Sequence, residues 1–237
     1  MLLRDLIYSL ETGELHNLSI VDTETETIKP QHYGRIVTSA NLGVTDLHTR
    51  FLIKKGSLSV TLKEDQVVYP LQQRFVIGAT PKPDQFITTE YGMKDMLKIL
   101  EVRDDHHNIL PLNTGDPRRG INTPSFNTLA VSSDLYKEWN TRHLTVDFQR
   151  NGKLIPTCDT EYDPDCLVVD IDMRYLNALS LFIASRLHNP SGFGTDGVHE
   201  GNNYHTLYLE ECARLSNTGQ NIAESFFGSH KLRKGFP

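Results

Sequence analysis

Residues 30–51, PQHYGRIVTSANLGVTDLHTRF, set the period against which the rest of the chain is read. Tyr33, Ile36, Val37, Ala40, Val44, Leu47 and Phe51 recur at steps of three and four, which places them on one stripe of a helix. Pro30 suits the first turn, where its missing N–H would have no partner in any case. Gly34 and Gly43 each cost about 1 kcal/mol against alanine in a helix interior. Burying five stripe residues, at roughly 1.5–3 kcal/mol each, outweighs that cost, so the helix must be covered by other elements.

The totals narrow what can cover it. At 237 residues the chain is one large domain or a domain carrying an insertion. Hydrophobic residues at 38% and charged residues at 23% are those of an ordinary globular protein. A net charge of −6 supplies no basic field and argues against a nucleic-acid binder. The three cysteines, Cys158, Cys166 and Cys212, are too few and too scattered for a disulfide framework and point to a reducing compartment. The N-terminus, MLLRDLIYSLETGEL, carries Arg4, Asp5 and Glu11 and lacks a small-residue cleavage site, unlike a secretion signal. No apolar run approaches the ~20 residues a membrane span needs. The expected setting is a cytoplasm.

In chain order, residues 2–10 place Leu3, Leu6, Ile7 and Leu10 on one helical face, and a polar loop at 19–29 leads to the long helix. After Phe51 the period becomes two: Leu58, Val60 and Leu62 alternate with polar neighbours, as in a half-buried strand. Further strands are expected at 67–69, 75–77, 85–89, 96–103, 109–112, 128–132, 143–149 and 167–171. Asn151-Gly152 reads as a two-residue hairpin turn with 153–157 as its return strand. Eight of the eleven prolines fall in this middle region, which forbids long helices there. Helical spacing returns at 173–188, MRYLNALSLFIASRLH, with Leu176, Leu179, Phe182, Ile183 and Leu187 on a stripe and Asp170 or Asp172 as cap. A glycine-rich loop at 191–201 then precedes a helix at 203–215. The expected fold is α+β: a four-helix bundle from the N- and C-terminal regions with an inserted antiparallel β domain. Its divisions are 1–55 with 173–218 for the bundle, 56–172 for the insertion, and 219–237 for a C-terminal tail. Ile36, Ala40, Val44, Leu47, Leu179, Phe182 and Ile183 are the expected bundle or subunit packing residues.

Motifs for chemistry are weak. Asp104, Asp105, His106 and His107 are adjacent and read as a polar turn rather than a metal site. Asp46 and His48 lie two apart, do not share a helix face, and read as surface groups. His199, Glu200 and His205 lack HExxH spacing. The run 191–194, SGFG, lacks the strand and Lys-Ser/Thr of a phosphate loop, and GDPRRG at 115–120 reads as a turn. Glu161, Asp163 and Asp165 lack the glycine and closing glutamate of a calcium loop. No catalytic set, cofactor or metal is expected. The tail differs: Phe226, Phe227, Leu232 and Phe236 are interleaved with His230, Lys231, Arg233 and Lys234, which reads either as a partner-docking segment or as a disordered end or a strap over the protein's own sheet.

Several stretches together resemble a known family. LRDLIYSLETGELHNLSI, the close DLHTRFLIKKGSLSVTL of the long helix, DMLKILEVRDDHHNILPLN, NTPSFNTLAV, LNALSLFIASRLHN and YHTLYLEECARL follow one another as in bacteriophage head-to-tail adaptor (connector) proteins of short-tailed virions. The resemblance implies a structural, non-enzymatic virion protein made in the host cytoplasm. It would form a ring, twelve copies being the family's number, between the capsid portal protein and a tail tube or nozzle protein, with tail fibres nearby and DNA passing without specific binding. It also implies a portal-binding C-terminal extension, here Phe226, Phe227, Lys231, Leu232, Arg233 and Phe236. Other readings of the chain are a tail or baseplate component that contacts fibres, and a hydrolase using the His/Asp-rich loops.

Overall fold

The computed structural model describes residues 1–18, 20–22, 24–114, 120–137, 140–157, 162–188 and 195–220, with the backbone alone for 195–200, 219 and 220. In chain order the elements are α1 (Leu3–Thr12), α2 (Tyr33–Arg50), β1 (Lys55–Thr61), β2 (Val68–Pro70), β3 (Ile87–Thr88), β4 (Met96–Arg103), β5 (Ile109–Leu110), β6 (Ile121–Ser125), β7 (Thr128–Val131), α3 (Ser133–Lys137), β8 (His143–Arg150), α4 (Leu176–His188) and α5 (Thr195–Leu215). The protein is mixed α+β with two antiparallel sheets, and it divides into two compact units: Met1–Leu52 with Gly152–Pro237, and Ile53–Asn151.

In the helical unit, α4 is the element that the others touch: α1, α2 and α5 each pack on it. The helical unit is therefore centred on α4 and not on the longer α2. Ala178, Leu181 and Ala184 are buried as well as Leu179, Phe182, Ile183 and Leu187 of the apolar stripe, and so are Ser180, Ser185 and His188. A helix that is apolar all round belongs inside a unit rather than on its surface. Its first turn is a 3-10 turn at Met173–Tyr175, capped by Asp172, whose carboxylate accepts from the Arg174 amide at 3.0 Å. Pro30 opens a 3-10 turn ahead of α2, as its ring requires.

Several expectations fail in this unit. Gly152 does not turn a hairpin and 153–157 form no strand. Instead Asn41 of α2 grips the backbone of Ile155 with both ends of its amide, Nδ2 to O at 2.8 Å and N to Oδ1 at 2.9 Å. The Lys153 amide donates to Asp170 at 2.7 Å. Side chains of the helical unit thus satisfy the backbone that a ladder with β8 would have satisfied. Residues 152–172, read from sequence as insertion, consequently belong with the helices. The expected strand at 167–171 is a single bridge, Leu2 to Val168, with Leu3 N donating to Leu167 O at 2.8 Å. The glycines at 197 and 201 do not prevent helix: α5 begins at Thr195.

In the β unit the sheets run β3-β1-β8-β4-β5 and β2-β7-β6, and all paired strands are antiparallel. Leu58 and Val60 of β1, Leu144, Val146 and Phe148 of β8, and Met96, Ile99 and Val102 of β4 share one core with Tyr69, Ile121, Leu129 and Val131 of the smaller sheet. The chain beyond β5 links the sheets, since Asn113 N donates to Ile121 O at 2.8 Å and Ile121 N to Pro111 O at 3.0 Å. Two expectations shift here. In place of a strand at 75–77, a 3-10 turn at Gln73–Phe75 is followed by one bridge, Val76 to Ile87. β6 was hidden in the sequence by Pro124, which an edge strand tolerates because the missing N–H faces away from the ladder.

Candidate functional site

The expected packing residues are all buried in the helical unit: Ile36, Ala40, Val44 and Leu47 on α2, and Leu179, Phe182 and Ile183 on α4. What brings these helices together is Gly43. A Cβ there would stand 2.6 Å from Leu179 Cδ1 and 2.9 Å from Phe182 Cδ1, so only a residue without one allows this approach. The glycine that costs helix propensity is the contact point.

Beside this contact lies a polar knot at the C-terminal end of α2. Asp46 accepts from Arg50 Nε at 2.6 Å and from the Tyr208 hydroxyl, while the Arg50 guanidinium sits 5.6 Å over the Tyr208 ring. Tyr208 has no exposed surface and packs edge-on against Phe182 at 5.2 Å. Burial, then the hydrogen bond to Asp46, raises the Tyr208 phenol far above its ordinary range. Burial likewise raises the Cys212 thiol next to it. One turn on, Glu211 takes a bidentate bond from Arg214 at 2.7 Å, which lowers its carboxyl against the upward push of burial. Of the two expected surface groups, Asp46 is half-buried and tied into this knot, while His48 is fully buried, with Nε2 3.2 Å from Asp170 O. Sequence reasoning missed this knot. Its signal was the i,i+4 pairs Asp46/Arg50 and Tyr208/Cys212, whose meaning depends on helices far apart in the chain.

A second tie joins the turn after α1 to α4 and α5. His188 Nε2 lies 3.1 Å from Glu14 O, the Tyr204 hydroxyl donates to the same oxygen at 3.3 Å, and the two rings stack at 4.8 Å. These contacts fasten the turn to both helices.

The acidic and histidine clusters of the sequence are turn-formers. Asp104 Oδ1 accepts from the amides of His106 and Asn108 at 2.8 Å each, and His107 adopts a φ of 62°. Partial burial raises the Asp104 carboxyl, but the Asn108 and His106 hydrogen bonds outweigh it and the net shift is down. Asp105 accepts from the amides of Arg142 and His143 at 2.6 and 3.1 Å. Asp163 accepts from the Asp165 amide at 3.0 Å, and Asp165 pairs with Arg4 at 2.8 Å. Cys166 is exposed and Cys212 buried, both as free thiols. His199 and Glu200 fall on the first turns of α5, while the His205 ring stands 6.1 Å from that of Tyr208. Among the described residues no group of three histidine, cysteine or acidic side chains is placed to hold a metal ion, and no helix is long and apolar enough to cross a membrane. Cys158, Glu161, residues 115–119, residues 191–194 and the tail residues Phe226, Phe227, Lys231, Leu232, Arg233 and Phe236 lie outside the described residues.

The surface of the helical unit carries large apolar side chains. Leu42 on α2 is 55% exposed, and Leu207 and Leu209 on α5 are 46% and 42% exposed. Tyr8 and Met173, 66% and 56% exposed, flank an open groove of about 570 Å³ that Ser9, Thr12 and Leu176 also line. Such side chains, where they cluster, mark surfaces that a partner covers. No family model matches the chain, and no match to it is found among curated proteins.

Proposed function

We propose that the protein is a structural virion component, a head-to-tail adaptor that assembles as a ring of its own copies. The ring joins the portal protein to the tail tube or nozzle protein and leaves a passage for DNA. The observation that carries this reading is the gathering of helices from both ends of the chain around α4, with the β unit spliced between them in sequence. In this reading α1, α2, α4 and α5 are a four-helix bundle and Ile53–Asn151 is an antiparallel β insertion. The order of motifs that resembles the adaptor family supports the same architecture. Exposed Leu42, Leu207 and Leu209 supply apolar surface for a neighbouring copy. In a ring that contact is heterologous, one face meeting a different face of the next copy, and its closure is geometric. The knot at Tyr208 and the turns at Asp104 and Asp163 spend their polar groups on fastening, which suits an assembly part without reaction chemistry. The tail, with its aromatic and cationic side chains, anchors on the portal.

The test is the mass of the purified protein by light scattering, with and without purified portal. The expected result is a low-mass species alone and a closed ring on the portal. A protein that ignores the portal and instead binds fibres would belong to the tail or baseplate. A protein that does neither would end the structural reading.

A further inference from the structure

α5 runs antiparallel to α4, and three contacts fix its register. The His188 and Tyr204 rings stand 4.8 Å apart and the Phe182 and Tyr208 rings 5.2 Å, while the Glu211 carboxylate takes a hydrogen bond from the Asn177 side chain. Continued by one turn, the same register brings Leu215, the last residue of α5, level with the Met173–Tyr175 turn ahead of α4. The chain goes on through a π-helical turn at Ser216–Gln220, in which Thr218 Oγ1 donates to Leu215 O at 3.0 Å. Its described part therefore ends where α4 begins.

The groove between α1 and α4 opens at that same end. It measures about 570 Å³ and is lined by Tyr8, Ser9 and Thr12 on one side and by Met173 and Leu176 on the other. Tyr8 and Met173 are turned outward, whereas Leu3, Leu6 and Leu10 of the same α1 are buried in the core beneath. A thioether facing a phenol ring favours an aromatic occupant, because sulfur packs well against ring edges and rings pack well edge to face.

The tail supplies such an occupant within reach. Residues 221–237 follow Gln220, and the adjacent pair Phe226 and Phe227 begins six residues beyond it. Six residues span up to about 20 Å, roughly twice the 8–10 Å between packed helix axes. The short tether also holds these rings near the groove at about millimolar effective concentration. A neighbouring copy presenting Leu207 or Leu209 would instead lose its free translation and rotation on binding.

We propose that in the lone chain Phe226 and Phe227 seat in this groove against Tyr8 and Met173, so that the tail folds back on the helical unit that carries it. The docked tail covers an outer surface above a buried core and is a releasable attachment. This is a property of the free chain and stands apart from the portal reading; on that reading, the groove is where the tail waits until the portal draws it out.

The test uses the full-length protein with p-benzoylphenylalanine in place of Phe227, irradiated at low concentration and digested for mass spectrometry. The expected adducts lie within one chain, on the peptides that carry Tyr8, Met173 and Leu176. Adducts elsewhere on the chain or none at all would overturn the proposal. So would adducts between chains that grow with concentration, which would give the groove to a neighbouring copy. A second measurement keeps the native phenylalanine. With methyl-labelled methionine, the Met173 signal should lie upfield through the ring currents of the tail and return to the position of an exposed methionine in F226A/F227A. The signals of Met93 and Met96 in the β unit should stay in place. Met173→Asp, at a position 56% exposed, leaves the core untouched and should release the tail. Tryptic cleavage after Lys231, Arg233 and Lys234 should then quicken on the order of tenfold, the equivalent of one phenylalanine side chain unburied. A Met173 signal indifferent to F226A/F227A, or an unchanged cleavage rate, would also refute the docking.

Discussion

Gly43 and Tyr208 carry the helical unit at the level of single side chains, and each makes a testable statement. Gly43→Ala forces a methyl to 2.6 Å from Leu179 and 2.9 Å from Phe182. Overpacking of this kind costs about 1–3 kcal/mol even though alanine is the better helix former, so the melting temperature should fall. If propensity governed instead, the melting temperature would rise. Tyr208→Phe removes the hydroxyl that donates to Asp46 and should cost about 1–2 kcal/mol in urea unfolding, with Arg50 still holding the carboxylate. The carboxyls of Glu211, Asp163, Asp172 and Asp22 are all lowered in the folded state, Glu211 and Asp172 first by arginine hydrogen bonds, Asp163 first by Cys166 and Asp22 by the Glu24 amide. The folded protein thus binds these protons less readily than the unfolded chain. Their stabilisation is present above the ordinary carboxylate range near pH ~4 and is lost as the pH falls through the lowered values. Glu211→Gln should flatten the acid limb of the melting-temperature profile measured between neutral and acid pH.

At the next level up, the strands are held by alternation and by one missing side chain. Across the β1–β8 ladder Gly56 pairs with Phe148, and a Cβ at Gly56 would stand 2.6 Å from the end of that ring. Gly56→Ala should therefore destabilise the β unit by displacing its buried phenylalanine. The checking measurement is the near-ultraviolet circular dichroism of aromatic side chains during thermal melting, which should lose its transition earlier than wild type. Among the helices, α4 is fixed by the burial of ten of its thirteen residues, and α1 and α5 are fixed by what they tie to. The Glu14 carbonyl, held from α4 by His188 and from α5 by Tyr204, is the clearest of these fastenings.

For the molecule as a whole, the β unit has the geometry of an excisable piece. Its first and last strands are neighbours, Lys55 opposite Gln149, and Arg150 N donates to Lys54 O at 3.0 Å, so its two ends meet. With its own core, the fragment 53–151 should fold when expressed alone, giving dispersed amide resonances and a cooperative melt. An aggregated or collapsed fragment would show that the helices are needed to complete it. On the adaptor reading, removal of residues 222–237 from the full chain should abolish portal binding and leave thermal stability nearly unchanged. A large loss of stability would identify the tail as a strap on its own protein.

Periodicity in the sequence was sufficient to determine α1, α2, α4 and the strands β1, β4 and β8, because each buries one face at a fixed step and the pattern is local. It also determined the antiparallel β character of the middle, through its prolines and alternation. Tertiary structure alone decided three things. The hairpin expected at Asn151-Gly152 gave way because Asn41, distant in sequence, offers the backbone of Ile155 better partners than a return strand would. Asp46 and His48 became fastening groups because the elements facing them come from the other end of the chain. β5 pairs with β4 over two residues only, because the chain past Leu110 bonds to Ile121 of β6. Local spacing encodes which face an element buries; it holds no record of which distant group will satisfy the polar atoms left over.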